Sequence, residues 1–477
     1  MEAIPTFEFL KEQVATGYFE GLIRTYLLDN THGAVVIIRP ERGRTARMDK
    51  ELAERLKAYK ESLSPEEVDA LVSATKELEA YQEEESAPED LAKIPVLRRE
   101  DITRETAPIY NTEMDADGVK MVHHNVETNG IGYVTLMFDL SGIEEKMLPY
   151  VGILQSVLGI IDTTNYEYGA LFNEINVHTG GIGTSLELYA DVTKVKEKEF
   201  RATFEMKGKA LYPKMDVLFS MMREILMESK LDDEKRLKEI IAMLRSRLQM
   251  SFLSSGHTTA ALRALSYTSP IAKFKDDTDG IGFYEVVKAI EEDFDGHKAE
   301  LIRNLKDISR KIFRTDNLMI SYTSAEQGLE PMQSAFRAVK DSFNRGAEDE
   351  GPLNTGGHSD TGLHAAEKSA ETACVIHCRK RNEGFKTSSK VQYVARAGNF
   401  IDGGAEYTGA LQILKVILSY DYLWQNVRVK GGAYGCMSNF NRIGEGYMMS
   451  YRDPNLEKTM EIYEGVVDYL ENFNVDD

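Results

Sequence analysis

The feature that most constrains the fold is an internal repeat between two distant parts of the chain. Tyr407–Leu411 (Tyr-Thr-Gly-Ala-Leu) echoes Tyr150–Leu154 (Tyr-Val-Gly-Ile-Leu), and Lys430–Tyr434 (Lys-Gly-Gly-Ala-Tyr) echoes Thr179–Gly183 (Thr-Gly-Gly-Ile-Gly). In each copy the first motif opens a helical pattern, and the second stands before a pair of alternating, strand-like segments. Two such copies indicate a duplicated domain rather than a solenoid of short repeats.

The pattern of the first copy predicts its fold class. Its elements follow the order strand, two helices, two strands, three helices and strand, which predicts an α+β fold with helices over a largely antiparallel sheet. The strands are predicted at 123–126, 132–140, 183–191, 199–208 and 317–323. The helices are predicted at 146–161, 168–178, 215–229, 232–251 and 283–313.

The part before this copy has a different character. A helix predicted over 7–28 and a buried-type strand over Ala34–Ile38 have no partners nearby, so residues 1–45 are predicted to be the tail of a preceding domain. Residues 46–97 are predicted to form a charged helical hairpin linker. Its second helix has a start signal in Ser64–Glu67, with serine as N-cap, proline at the first helical position and glutamate closing a capping box.

The remaining boundaries follow from composition and from the repeat. Residues 98–340 are predicted to form a complete domain, 341–371 a polar linker, and 372–477 a truncated second copy. Because the first and last segments both look incomplete, we expect the chain to be a piece of a longer protein.

Composition excludes several classes of function. The net charge is −21, which disfavours nucleic acid as a partner because phosphate binding needs a basic surface. No apolar run is long enough for a membrane span, and the N-terminal residues have no signal-peptide pattern. Three cysteines argue against a disulfide framework and for a reducing compartment.

The candidate catalytic residues are Arg428 and Tyr434, which flank the glycine pair of the second copy. A turn at the glycines brings a guanidinium and a phenol to one end of a sheet, where the two groups can bind a peptide carbonyl and the oxyanion it becomes. The alternative is structural: Arg428 pairs with a surface carboxylate, and Tyr434 is half-buried packing. The first copy has Gly183 in place of Tyr434 and Val177 near the position of Arg428, so the fold does not require this pair.

Other groups lack the partners that chemistry needs. The histidines have no metal-ligand spacing, and Cys374–Cys378 has no second cluster, so no metal site is predicted in this chain. A nucleophile formed by Cys436 and His377 has no orienting third group. The run Gly180–Gly183 precedes a hairpin instead of a helix, which excludes a dinucleotide fingerprint.

The segment Asn426–Gly435 resembles the C-terminal active-site segment of the presequence protease family, within the insulysin/pitrilysin class of zinc metallopeptidases. The resemblance covers essentially the whole chain. Phe19–Asn30 looks like the end of the family's second domain, the hairpin around Ser64 like its helical hinge, and the chain from Arg98 like its third domain.

The resemblance implies four homologous α+β domains of the insulysin/mitochondrial-processing-peptidase type, paired as two bowls that close over an unfolded peptide. It implies zinc and a glutamate base in the first domain, and a substrate-binding Arg and Tyr from the fourth, which match Arg428 and Tyr434. The family's zinc motif, H-x-x-E-H, is absent from this sequence. We therefore expect this chain alone to bind no zinc and to be inactive.

The function that the resemblance implies is the C-terminal part of a zinc-dependent endopeptidase of unfolded peptides. Its partners would be such peptides and the N-terminal half of the same protein, with no nucleic acid or membrane. Its location would be cytoplasmic in a bacterium, or mitochondrial or plastid in a eukaryote. The alternative is a non-catalytic peptide-binding or assembly subunit on the same fold, like the core proteins of respiratory complexes.

Overall fold

The structure is a computed structural model that describes residues 3–84, 86–344 and 376–474. The chain divides into two compact units, Met1–Thr106 and Ala107–Asp477. Most of the polar linker predicted at 341–371, the start of the predicted second copy and Cys374 lie outside the described residues.

The first unit is helical in its described part. Its helices are α1 (Ala3–Gln13), α2 (Tyr18–Ile23), a π-helical turn (Arg24–Leu28), α3 (Arg44–Ser62), α4 (Pro65–Glu83) and α5 (Pro88–Leu91). The capping box at the start of α4 is confirmed: the Glu67 backbone N–H donates to Ser64 Oγ, and the Ser64 backbone N–H donates to Glu67 Oε2 at 2.8 Å. Two of the backbone N–H groups that this helix start leaves free are thereby satisfied.

Two predictions for this unit were wrong. The helix expected over 7–28 is divided, because the chain turns at Gly17 with φ of +74° before α2 begins. The strand expected at Ala34–Ile38 is not formed, and its apolar side chains are exposed. A strand needs a neighbouring backbone for its hydrogen bonds, and the described part of this unit contains no other strand to provide one.

The second unit is built on a six-stranded sheet. Its strands are β1 (Asn111–Ala116), β2 (Val119–Asn125), β3 (Ile131–Asp139), β4 (Ile182–Ala190), β5 (Phe200–Leu211) and β6 (Leu318–Ser324). They lie in the order β1-β2-β6-β3-β5-β4, and every neighbouring pair is antiparallel except β2 and β6. The α+β class with a largely antiparallel sheet is therefore confirmed.

Helices lie between or after these strands along the chain and pack against the sheet or against one another, except Gly256–Leu265, which packs mainly on the later strands Ala395–Asn399 and Glu445–Tyr451. The helices are α6 (Leu148–Val157), α7 (Tyr168–His178), α8 (Met215–Met227), α9 (Glu234–Ser254), α10 (Gly256–Leu265), α11 (Pro270–Asp279), α12 (Ile281–Glu292), α13 (Phe294–Ile312) and α14 (Leu329–Val339). Every second residue of β3 points into the core, so that Val134, Leu136 and Phe138 are fully buried. Each such side chain contributes about 1.5–3 kcal/mol by leaving water.

The structure adds details that the sequence prediction lacked. The strand β1 was not predicted, although the turn Asp117-Gly118 that joins it to β2 is a strong hairpin signal, with φ of +52° and +85°. The single helix expected over 283–313 is two helices, since Asp293 ends α12 and caps α13 by accepting a hydrogen bond from the Gly296 backbone N–H.

The C-terminal part of this unit carries a second, three-stranded antiparallel sheet. Its strands are β7 (Ala395–Asn399), β8 (Gly435–Phe440) and β9 (Glu445–Tyr451), in the order β7-β9-β8. The accompanying helices are Ala410–Val416, a π-helix Ile417–Val429, Glu457–Glu464 and Val466–Glu471. Both sheets thus have the same local order of helix, Gly-Gly turn and hairpin.

The segment 376–391, which leads into β7, has no regular secondary structure. It is tied to α10 by an ion pair of 2.9 Å between Arg263 Nε and a Glu383 oxygen. Hydrogen bonding from Arg263 lowers the pKa of Glu383 to about 2. The domain boundaries inferred from the sequence stay a proposal. None of the helices in the described part is long and apolar enough to cross a membrane.

Candidate functional site

The candidate site begins at the end of the long helix that precedes the second hairpin. From Ile417 to Val429 this helix is a π-helix. Its last turn is closed by a hydrogen bond of 3.0 Å from the Lys430 backbone N–H to the Gln425 carbonyl, five residues back. Buried Leu423 and Val427 hold this helix against the small second core. Arg428 therefore projects from a helix end that is anchored on this core.

Two glycines end the helix and turn the chain. A Cβ on Gly431 would lie 2.4 Å from the Val427 carbonyl oxygen, so no side chain fits there. Gly432 has φ of +80°, a conformation that residues with side chains rarely adopt. The Gly432 and Ala433 backbone N–H groups donate to the Arg428 and Val427 carbonyls at 2.8 and 3.1 Å, which satisfies the helix end.

The turn places Tyr434 at the start of the β8–β9 hairpin. The Tyr434 backbone N–H donates to the Tyr451 carbonyl at 3.0 Å, immediately before β8 pairs with β9. The Tyr434 ring packs edge-on against the Tyr451 ring, with centroids 5.6 Å apart. Its side chain is nevertheless 65% exposed, so the phenol is accessible to a ligand.

Arg428 lies beside this phenol. Its guanidinium carbon is 3.9 Å from the centroid of the Trp424 ring, one helical turn earlier, and 5.9 Å from the centroid of the Tyr434 ring. Stacking on Trp424 is a favourable cation–π contact that fixes the direction of the long Arg428 side chain. The structure therefore brings the two predicted residues together.

A second guanidinium, from Arg452, lies on the same rings. Its carbon is 5.9 Å from the centroid of Tyr434 and 5.3 Å from that of Tyr451. Arg452 directly follows β9 and has φ of +49°, in the left-handed region. The site thus consists of an exposed phenol with two cationic side chains on its ring.

The aromatic base of the site rests on α10. The His257 ring lies 4.6 Å from the Tyr451 ring, and Tyr393 stacks on Tyr451 at 5.9 Å. Within the described residues His257 Nδ1 is buried without a hydrogen-bond partner, and burial lowers the pKa of His257. A neutral imidazole therefore packs against the Tyr451 ring.

The alternative, in which Arg428 and Tyr434 have only structural roles, predicts two features that the structure can test. It expects Arg428 to pair with a carboxylate, but within residues 3–84, 86–344 and 376–474 Arg428 forms no ion pair. It expects Tyr434 to be half-buried, but the ring is mostly exposed. An unpaired guanidinium beside an accessible phenol leaves both groups available to a carbonyl or anionic ligand.

The other chemical candidates are not assembled. Cys436 is buried in the second core, where burial raises the pKa of its thiol to about 11, whereas His377 is exposed and its backbone N–H donates to Glu145. The thiol therefore stays protonated at neutral pH. Among the residues that the structure describes, no group of three or more His, Cys, Asp or Glu side chains could hold a metal ion.

Five members of the site were not identified from sequence: Trp424, Tyr451, Arg452, Tyr393 and His257. Trp424 precedes Arg428 by four residues on a helix, a spacing that places two side chains on one face and could have indicated the stack. The roles of Arg452 and His257 depend on tertiary packing, and no local signal marks them.

Comparison with known families gives two matches. Residues 38–290 match the family of domains described as associated with peptidase family M16, subfamily C, and residues 382–476 match the one described as PreP C-terminal domain. The second match contains the whole candidate site except His257.

Individual proteins give similar results. The chain is 34% identical to "Protein HypA" of Clostridium perfringens over all of this chain and 46% of that protein. It is 27% identical to "Presequence protease 1, chloroplastic/mitochondrial" of Arabidopsis thaliana over 98% of this chain and 41% of that protein. The chain thus spans less than half the length of these relatives. A solved "peptidase M16 inactive domain" from Pseudomonas fluorescens aligns with a TM-score of 0.47 and 13% identity, over 77% of this chain and 81% of that one.

Proposed function

The chain belongs to the family of domains associated with peptidase family M16, subfamily C, and on that premise we propose that it forms the C-terminal part of a zinc-dependent endopeptidase of unfolded peptides. In this proposal the chain supplies Arg428 and Tyr434 to a chamber completed by an N-terminal half. The observation that carries the proposal is the exposed Tyr434 phenol beside an Arg428 guanidinium that has no carboxylate partner in the described residues.

The role of Tyr434 follows from the chemistry of its hydroxyl group. A peptide carbonyl placed at the phenol accepts a hydrogen bond from the Tyr434 O–H. When a nucleophile adds to the carbonyl carbon, the carbonyl oxygen becomes an oxyanion, and that hydrogen bond strengthens. The phenol thereby stabilises the transition state more than the bound substrate, which is the requirement for accelerating the reaction.

The role of Arg428 is to supply positive charge at a fixed place. Stacking on Trp424 holds its guanidinium beside the phenol. The planar fork can donate to a second substrate carbonyl or to the same oxyanion. Enclosure of the site by a second half would strengthen these interactions by excluding water.

Zinc does not fit the described residues of this chain, because no sufficient group of ligands is present among them. We place the zinc ion and the glutamate base of the family in the N-terminal half. The steps assigned to this chain involve Arg428 and Tyr434 alone.

The proposal is tested by reconstitution. This chain and the N-terminal half of a family member, made separately, are assayed alone and mixed for cleavage of an unfolded peptide, and the zinc content of each is measured. We expect cleavage in the mixture only, and sub-stoichiometric zinc in this chain alone. Stoichiometric tightly held zinc or cleavage by this chain alone would contradict the proposal.

A mixture that binds peptide but does not cleave it would favour the alternative of a non-catalytic binding subunit. The zinc-loaded N-terminal half provides the control for that outcome, because its metal content shows whether the failure lies in the missing metal.

A further inference from the structure

Arg452 combines a strained backbone with a side chain placed on the candidate site. Its φ of +49° lies in the left-handed region, where a residue other than glycine, asparagine or aspartate is uncommon. Such a conformation persists only where the surrounding structure imposes it, and it is concentrated at functional sites. The position therefore requires a physical explanation.

The backbone on both sides of Arg452 is fixed. On one side, the Tyr451 carbonyl accepts the hydrogen bond from the Tyr434 backbone N–H. On the other, buried Asp453 exchanges backbone hydrogen bonds of 2.8 and 2.9 Å with Gln392, and its carboxylate accepts a hydrogen bond of 2.8 Å from Thr459. Arg452 must therefore make the turn between two anchored residues.

The side chain of Arg452 is exposed and is not used for an ion pair or a side-chain hydrogen bond within the described residues. Its contacts are with aromatic rings, at 5.9 Å from the centroid of Tyr434 and 5.3 Å from that of Tyr451. An arginine that only served the turn would gain nothing over glycine, which adopts this φ without strain. The contact with the two rings is what distinguishes arginine at this position.

We propose that Arg452 is a positioning residue for Tyr434: its guanidinium, held by the left-handed turn, restrains the exposed Tyr434 ring so that the phenol points at the substrate carbonyl. The expected effect of Arg452 on the reaction rate rests on the proposed function, whereas its restraint of the Tyr434 ring does not. Arg428 and Arg452 together restrain a ring that would otherwise be held mainly by its edge contact with Tyr451. Cation–π attraction is the force in both cases.

The test uses Arg452→Gly, which removes the guanidinium and also relieves the backbone strain. Replacing a left-handed residue by glycine should leave the melting temperature unchanged or raise it. The chain is labelled with 3-fluorotyrosine, and the fluorine resonance of Tyr434 is assigned by its loss in Tyr434→Phe. We expect Arg452→Gly to shift that resonance and narrow it, because the ring gains freedom.

In the reconstituted enzyme we expect Arg452→Gly to lower kcat about tenfold with KM within about twofold, as for a misplaced catalytic group. Arg452→Lys keeps a cation on the same backbone and should return most of the lost rate. Asn129→Gly is the matched control: Asn129 also has a positive φ, +52°, in a different turn of the same unit. It should change neither the resonance nor kcat.

An unchanged Tyr434 resonance in Arg452→Gly would overturn the proposal, and so would a rate in Arg452→Lys no better than in Arg452→Gly. Failure of the proposed function has a different signature. In that case Tyr434→Phe leaves kcat intact, while the fluorine resonance still reports whether Arg452 restrains the ring.

Discussion

The two Gly-Gly turns of the second unit differ in how their charged side chains are used. In the first turn, Gly181 has φ of +110° and the hairpin β4–β5 follows. Lys207 of that hairpin is paired with Glu187 at 2.8 Å and with Glu205 at 3.1 Å. The charge of Lys207 is therefore neutralised within the protein.

In the second turn, Gly432 has φ of +80° and the hairpin β8–β9 follows. Arg428 and Arg452 lie on aromatic rings and form no ion pair within the part of the chain that the structure describes. The second glycine of each turn has a positive φ, but this turn exposes two cations and a phenol. The comparison teaches that the glycines serve the fold, whereas Arg428 and Tyr434 are additional to it.

The comparison predicts its largest effect for Tyr434→Phe in the reconstituted enzyme. Loss of one oxyanion donor should lower kcat by about 10²–10³, or roughly 3–4 kcal/mol, with a much smaller change in KM. Tyr420→Phe is the matched control, because Tyr420 is a similarly exposed tyrosine on the preceding helix. A near-normal kcat in a folded Tyr434→Phe protein would remove the phenol from catalysis and make the two turns functionally equal.

A second prediction compares the glycines themselves. Gly431→Ala would place a Cβ 2.4 Å from a backbone oxygen and should destabilise the second hairpin by about 3 kcal/mol. In Gly180→Ala the atoms nearest to the new Cβ belong to the exposed Lys209 side chain, which can change rotamer, so the cost should be about 1 kcal/mol.

The measurement for the glycine pair is denaturant unfolding followed by fluorescence. Trp424 is the single tryptophan of the chain and lies beside the second turn, so its emission reports that region. Circular dichroism reports the whole chain for the Gly180→Ala protein. Equal destabilisation by the two substitutions would contradict the packing difference described here.

The smallest predicted effect concerns the support of the second hairpin by α10. Burial lowers the pKa of His257 below its ordinary value of 6.5, so folding disfavours the charged imidazole. The stabilising contribution of the neutral ring is complete above pH 6.5 and is lost as the pH falls below it. Between pH 7.5 and pH 5 we expect the melting temperature, followed by Trp424 fluorescence, to fall by about 2 °C more in the wild type than in His257→Phe.

The control for this pH dependence is His32→Asn, which replaces an exposed histidine of the first unit and should behave as the wild type. A pH dependence that survives in His257→Phe would show that another group couples the second hairpin to acid.

The sequence was most informative where the signal is local. The capping box at Ser64 and Glu67 was predicted because both partners lie within one turn of helix. The placement of Arg428 and Tyr434 at one end of a hairpin followed from the two glycines between them. These features require only short-range geometry, which neighbouring residues specify.

The sequence failed where the outcome depends on distant partners. Ala34–Ile38 has the composition of a buried strand, but no strand pairs with it in the described part of its unit. The position of Arg452 depends on buried Asp453 and on Gln392, which lies far back along the chain. The strand β1 was a different kind of failure, because its Asp117-Gly118 turn was a local signal that was not used.

The central claim is that Arg428 and Tyr434, which have no counterparts at the first Gly-Gly turn, act together on the substrate. A double-mutant cycle on kcat tests this claim most directly. The variants are Arg428→Lys, Tyr434→Phe and their combination, assayed in the reconstituted enzyme. Groups that act on the same oxyanion are non-additive, so the double variant should be no more than a few-fold slower than Tyr434→Phe alone. Rate losses that multiply, as for independent sites, would contradict the account.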